Sequence, residues 1–99
     1  MAGFVQIIQF KTSKFDEMQK VSDEWRAKTE GKRVTRRVMI CRDRDNAGQY
    51  AVIAEFPSYE AAMKNNDLPE TQAFSEQMMK LADGPPTFYN LDLERVEED

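Results

Sequence analysis

From Phe4 to Lys11 the chain reads Phe-Val-Gln-Ile-Ile-Gln-Phe-Lys, rich in β-forming residues, and predicts a strand. Ser13 and Asp16 then form an S-x-x-D start signal for a helix. Phe15, Met18, Val21, Ser22, Trp25 and Thr29 fall on one helical stripe, with Asp16, Lys20, Asp23, Glu24 and Ala27 on the other side. Gly31 is the expected stop. Val34 to Arg42 predicts a second strand and Asp43 to Gly48 a turn-rich hairpin loop. Gln49 to Phe56 predicts a third strand. Ser58 is the expected N-cap of a second helix, with Glu60 near its positive end. Tyr59, Ala62, Met63 and Asn66 are expected on its inner face. Residues 65–69 interrupt that helix, Pro69 restarts it, and Phe74, Met78 and Leu81 continue an apolar face. Asp83-Gly-Pro-Pro86 ends it. Thr87 to Val96 predicts a fourth strand, in which Tyr89, Leu91 and Leu93 alternate with Asn90, Asp92 and Glu94 before an acidic tail.

The order β-α-β-β-α-β predicts an α+β, ferredoxin-like fold. Right-handed crossovers give a four-stranded antiparallel sheet in the order 4-1-3-2, with the helices on one face. Strand three carries Tyr50, Val52, Ala54 and Phe56 on one side and Ala51 and Ile53 on the other, so both faces are largely apolar. A sheet with one wet face should alternate apolar with polar. A second sheet packed on the open face resolves the conflict, and a homodimer is expected.

Composition narrows the chemistry. The 99 residues suit a single domain over 1–99. A net charge of −4 argues against nucleic acid, and the absence of histidine against His-bearing zinc sites, His-based triads and His-ligated haem. No cofactor is expected, and no haem or transition metal should copurify. The single cysteine, Cys41, allows no internal disulfide and suits a reducing compartment. The apolar run Phe4–Phe10 is interrupted by glutamines and falls far below the ~20 residues of a membrane span. The start, Met1-Ala-Gly-Phe4, lacks a basic region typical of a secretory signal, so a cytoplasmic location is expected.

The pattern resembles the dimeric α/β-barrel superfamily, in particular the group named for antibiotic-biosynthesis monooxygenases. The resemblance rests on Phe4–Lys11, the hairpin Asp43–Phe56, the junction Phe56-Pro-Ser-Tyr-Glu-Ala61, the split helix with Phe74, and Gly84-Pro-Pro86 before strand four. It covers nearly the whole chain. It implies a dimeric α/β barrel with a small-molecule site. The group includes cofactor-independent oxygenases of aromatic polyketides and haem-degrading enzymes. The junction aromatic, commonly Trp in the oxygenases, is Phe56 here; the strand-three Asn used by several members corresponds to Val52; the His that holds haem iron has no counterpart.

The candidate ligand-binding residues are Trp25, Arg37, Tyr59, Asn66 and Tyr89. Trp25 is either a packing aromatic on the helix stripe or a stacking wall for a planar ligand. Tyr59 and Tyr89 would add phenol handles to a mostly apolar site, while Tyr50 could equally face the hidden side of the sheet. Asn65 and Asn66 suit a helix terminus, but an inward carboxamide at 66 needs a hydrogen-bond partner, which a ligand could supply. Arg37 is a candidate anion anchor. The six bases of residues 32–44 otherwise read as a solvated, charge-defended edge strand. Cys41 reads as a small apolar strand residue, and the carboxylates form no spaced metal set.

Two functions fit. One is a site for a small hydrophobic or aromatic ligand, binding or enzymatic, in which Tyr, Asn, Arg and Trp orient the substrate. The other is a non-catalytic dimer with a filled core. An apolar cavity of ~300–1,000 Å³ with a few polar groups would favour the first. Charge also bears on assembly: residues 32–44 carry a local charge of +5 and residues 86–99 one of −4. Arg36, Arg37 and Arg42 are therefore expected near Asp92, Glu94 or the tail of a second copy, where they set register more than affinity.

Overall fold

The computed structural model describes residues 3–98. Met1, Ala2 and Asp99 lie outside them, and with them the start of the chain and the last acid of the predicted tail. The elements are β1 (Phe4–Lys11), α1 (Phe15–Lys28), β2 (Arg37–Arg42), β3 (Gln49–Phe56), α2 (Tyr59–Asn66), α3 (Pro69–Leu81) and β4 (Thr87–Asp92). The strands form one antiparallel sheet in the order β2-β3-β1-β4, the expected order read from the other edge.

The predicted Ser13 cap does not form. Lys14 stands at the cap with no side-chain bond, and Thr12 organises the turn instead. Its Oγ1 accepts from the Lys14 N–H at 2.9 Å and donates to the Leu81 carbonyl at 2.7 Å, tying the start of α1 to the end of α3. Thr12 is buried, so both bonds are shielded from water. The Ser58 cap forms as expected, its Oγ accepting from the Ala61 N–H at 3.1 Å. Asp67 and Leu68 separate α2 from α3, and Pro69 opens α3 in the first turn, where its missing N–H costs nothing.

Two strands are shorter than their patterns. β2 starts at Arg37 rather than Val34. Gly31 at φ 81° and the bonds from Lys32 N and Arg33 N to the Thr29 carbonyl hold the chain in a turn first. Val34 still packs against the core from that crossing. β4 ends at Asp92 rather than Val96, and beyond it Leu93 N bonds Gly3 O at 2.8 Å, at the first described residue.

Register and the two-residue period fix what each face carries. Phe4, Ala54 and Phe56 pack with Ala62 of α2 to form the core, with Val34, Val38 and Met63 against it. That cluster marks the helix side, which therefore also takes Gln6, Ile8 and Phe10 of β1 with their cross-strand partners. Tyr50 belongs here and not on the hidden side. Its ring stacks on Phe15 of α1 at 4.1 Å and on Phe10 at 5.8 Å. α1 packs on α3 through Trp25 and Phe74, ring centroids 5.2 Å apart.

The opposite face carries Val5, Ile7, Met39, Ala51, Ile53, Tyr89 and Leu91 at its centre. Among the described residues no helix covers it, and Tyr89 and Leu91 keep 43% and 44% of their surface exposed. Polar groups bound this stripe at both ends: the Arg37–Glu55 ion pair at one, Gln9, Lys11, Gln49 and Thr87 at the other.

Candidate functional site

One row of side chains crosses all four strands on the helix side: Phe88, Ile8, Val52 and Ile40, paired neighbour to neighbour. Every member is apolar. The centre of the row is half-buried, but its ends are not, with Phe88 54% and Ile40 47% exposed. The core cluster around Phe4 and Ala62 closes one side of the row and the Phe10–Tyr50–Phe15 stack the other. The adjoining row runs Asn90, Gln6, Ala54, Val38. Within it Gln6 Nε2 donates to Asn90 Oδ1 at 3.2 Å. An apolar floor with a few placed polar groups is the usual make-up of a small-molecule site.

The five residues singled out from sequence do not converge. Trp25 lies within the helix layer, where Nε1 donates to Thr71 Oγ1 at 3.0 Å and the Arg33 guanidinium sits 5.7 Å from the ring centroid. Tyr59 opens α2, 51% exposed, its ring edge-on to Phe4 at 5.4 Å. Asn66 is half-buried; the deeply buried carboxamide is Asn65, 5% exposed. The buried stripe of α2 is Ala62 and Asn65, an i, i+3 pair, so the carboxamide turned inward is Asn65 and not the expected Asn66. Arg37 and Tyr89 lie on the far side of the sheet from the helices. Arg37 pairs with Glu55 of its own chain, and Tyr89 sits opposite Ile7. Strand parity decides both placements: Ile7 is out of phase with the buried Phe4 and Phe10, so its partner must be too.

Sequence reasoning missed Gln6, Ile8, Ile40, Phe88 and Asn90. The available signal was Gln6, a carboxamide in phase with Phe4, Ile8 and Phe10 on an otherwise apolar strand face.

The guanidinium of Arg37 is held above its usual pKa by the hydrogen bond and charge of Glu55, with a smaller contribution from Glu98 of the C-terminal segment. Asp43 is lowered by bonds from the Asn46 side chain and the Asp45 N–H, which tighten the hairpin. Glu70 is lowered by its own backbone N–H and then by Lys32. A carboxyl lowered in the fold contributes stability above its unfolded pKa, and that contribution fades as pH falls through the folded value. The Asn65 Oδ1 and Glu70 Oε2 atoms are buried without a hydrogen-bond partner. No cluster of three or more His, Cys, Asp or Glu among the described residues is placed to hold a metal ion. No helix among them is long and apolar enough to cross a membrane. The Trp25–Thr71 bond is expected to stabilise the α1–α3 contact. Thr71→Val leaves the indole N–H unpaired in a partly buried site and should cost about 1–3 kcal/mol, read from urea unfolding midpoints.

Two shallow depressions, of about 250 and 160 Å³, flank Gln9 and Gln49 at one end of the sheet. Neither includes Trp25, Tyr59 or Asn66.

No protein-family model matches the sequence, and no curated protein matches it. Solved structures do. A Caulobacter crescentus protein provisionally named an antibiotic biosynthesis monooxygenase superposes with a TM-score of 0.83 at 20% identity, over 95% of this chain and 92% of that one. SnoaB, a cofactor-independent oxygenase from Streptomyces nogalater, superposes with a TM-score of 0.83 at 14% identity over 100% of both chains. Rv0793 from Mycobacterium tuberculosis gives 0.75 at 15% identity, over 98% of each. The sheet order and the helix layer place this chain, by structure, in the ferredoxin-like α+β fold of the antibiotic-biosynthesis-monooxygenase-like proteins.

Proposed function

We propose that this chain binds a flat, largely apolar small molecule on the helix side of its sheet and acts on it as a cofactor-independent oxygenase. The observation that carries this reading is the four-strand apolar row whose ends, Phe88 and Ile40, are left exposed beside the Gln6–Asn90 pair. Joined through Ile8 and Val52, the exposed ends form one continuous apolar strip, and such a strip marks a ligand or partner surface more than isolated exposed residues do. The oxygenase step is supported by fold likeness to SnoaB. With no cofactor, the electrons that reduce dioxygen come from the substrate, so an electron-rich aromatic such as a phenol is required. One oxygen atom enters the product and the other leaves as water. The protein's part is then to orient and desolvate.

The active unit in this reading is a homodimer formed through the open sheet face. Its support is the apolar centre with polar ends, the anatomy of an interface core and rim. The opposite charges of residues 32–44 and 86–99 also fit a two-fold contact made twice. Of the expected arginines, Arg37 lies on the open face, where Glu55 already engages it, while Arg42 is in phase with Tyr50 on the helix side and can meet a second copy only from the sheet edge.

Oxygen uptake with a panel of naphthols and hydroquinones, with chelator present, tests the enzyme. Phe88→Ala and Ile40→Ala should each lower kcat/KM at least ~10-fold with little loss of stability, since both side chains are half exposed. Binding without uptake across the panel would favour the second reading, a non-catalytic dimer. The observation on that side is that the two depressions, below the ~300 Å³ usual for ligand sites, are lined by none of Gln6, Ile8, Ile40, Val52, Phe88 and Asn90.

A further inference from the structure

The Gln6–Asn90 bond uses one amide proton of Gln6 and one oxygen of Asn90. It leaves Gln6 Oε1 as an acceptor and the Asn90 Nδ2 protons as donors. Exchanging O and N in both amides reverses the direction of the bond and still leaves one free acceptor beside one free donor. Both residues lie on the helix side, in the row next to Phe88 and Ile8. Neither carries a charge, and the nearest members of the two rows, Ile8, Phe88 and Ala54, are apolar.

We propose that this carboxamide pair is the specificity element of the site. It reads a planar ligand edge that presents a hydrogen-bond donor and an acceptor side by side, as in a lactam, a cis-amide or a hydroxy-substituted nitrogen heterocycle. The inference rests on the small-molecule reading above and adds the class of edge recognised. The apolar row takes the face of the ring by contact, which discriminates little. The carboxamides take the edge by two neutral bonds. A ligand lacking the donor leaves one amide oxygen desolvated and unpaired, and that loss discriminates strongly. A carboxylate would fit poorly, because it offers two acceptors to a pair holding one free acceptor of its own.

The probe is 2-quinolone, whose ring N–H and C=O are adjacent, compared with 1-methyl-2-quinolone, which lacks the N–H. Ligand-observed NMR titration gives both Kd values. Wild-type protein should bind 2-quinolone at least ~10-fold more tightly. Asn90→Leu and Gln6→Met keep the side-chain size and remove the bonding groups; each should bring the two Kd values within about twofold, with 1-methyl-2-quinolone affinity little changed. Asn90 is exposed, so Asn90→Leu should also keep its melting temperature, and it decides the case if Gln6→Met fails to fold. Equal wild-type binding of both probes, weakened by Phe88→Ala, would overturn the carboxamide assignment and leave the site in place. Saturable binding of neither probe would overturn both.

Discussion

Phe4→Ala is expected to cost about 3–5 kcal/mol of folding stability. That is a large share of the ~5–15 kcal/mol that holds a domain of this size together. Phe4 is 2% exposed and lies where β1, β3 and α2 meet. Its ring is 6.2 Å from Phe56 and edge-on to Tyr59. Its neighbours Ala54 and Ala62 are too small to fill the space it would leave. Chemical denaturation should show the loss as a lower midpoint at unchanged slope. A cost below 1 kcal/mol would mean that the core is centred elsewhere.

Ile53→Glu should do the opposite: leave the fold of one chain intact and break the proposed dimer. Ile53 lies at the centre of the open face, between Ile7 and Met39, and is only half-buried in the single chain. In a two-fold contact the substitution enters twice and sets two unpaired carboxylates in an apolar layer. At several kcal/mol in total, dissociation should strengthen about 10³-fold, leaving monomer at micromolar concentration by analytical ultracentrifugation. The charge reversal Arg36→Glu with Arg42→Glu should weaken the dimer far less, because exposed pairs are worth ~0.2–1 kcal/mol each. If wild-type protein is itself monomeric at that concentration, the open face does not serve as an interface between copies.

The architecture could be read from the chain because its signals are local and agree with one another. The β-forming runs of β1 and β3, the Ser58 cap and Pro69 each depend on neighbours only a few residues away. Where a partner distant in sequence decided the outcome, the pattern misled. Thr12 displaced Ser13 at the start of α1 because Leu81, 69 residues on, supplies the second bond.

The site suffered more than the fold, for the same reason. Tyr89 and Arg37 looked like binding residues by type, but cross-strand parity put them on the far side of the sheet. Parity becomes readable only once Phe4 and Phe10 are known to be buried. Gln6 and Asn90 are 84 residues apart and meet only through the β1–β4 register. Trp25 lies on the apolar stripe of α1 that the helical spacing predicts, and its partners Thr71 and Phe74 draw it into the helix layer.

The most direct test of a ligand site on the helix side uses the four isoleucines, two on each face: Ile8 and Ile40 toward the helices, Ile7 and Ile53 away from them. In protein labelled at the isoleucine δ-methyl groups, titration with a flat aromatic such as 2-naphthol should shift the Ile8 and Ile40 signals in a saturable manner. Those of Ile7 and Ile53 should stay in place. Movement of Ile7 and Ile53 with Ile8 and Ile40 unchanged would put the ligand on the open sheet face and contradict the account.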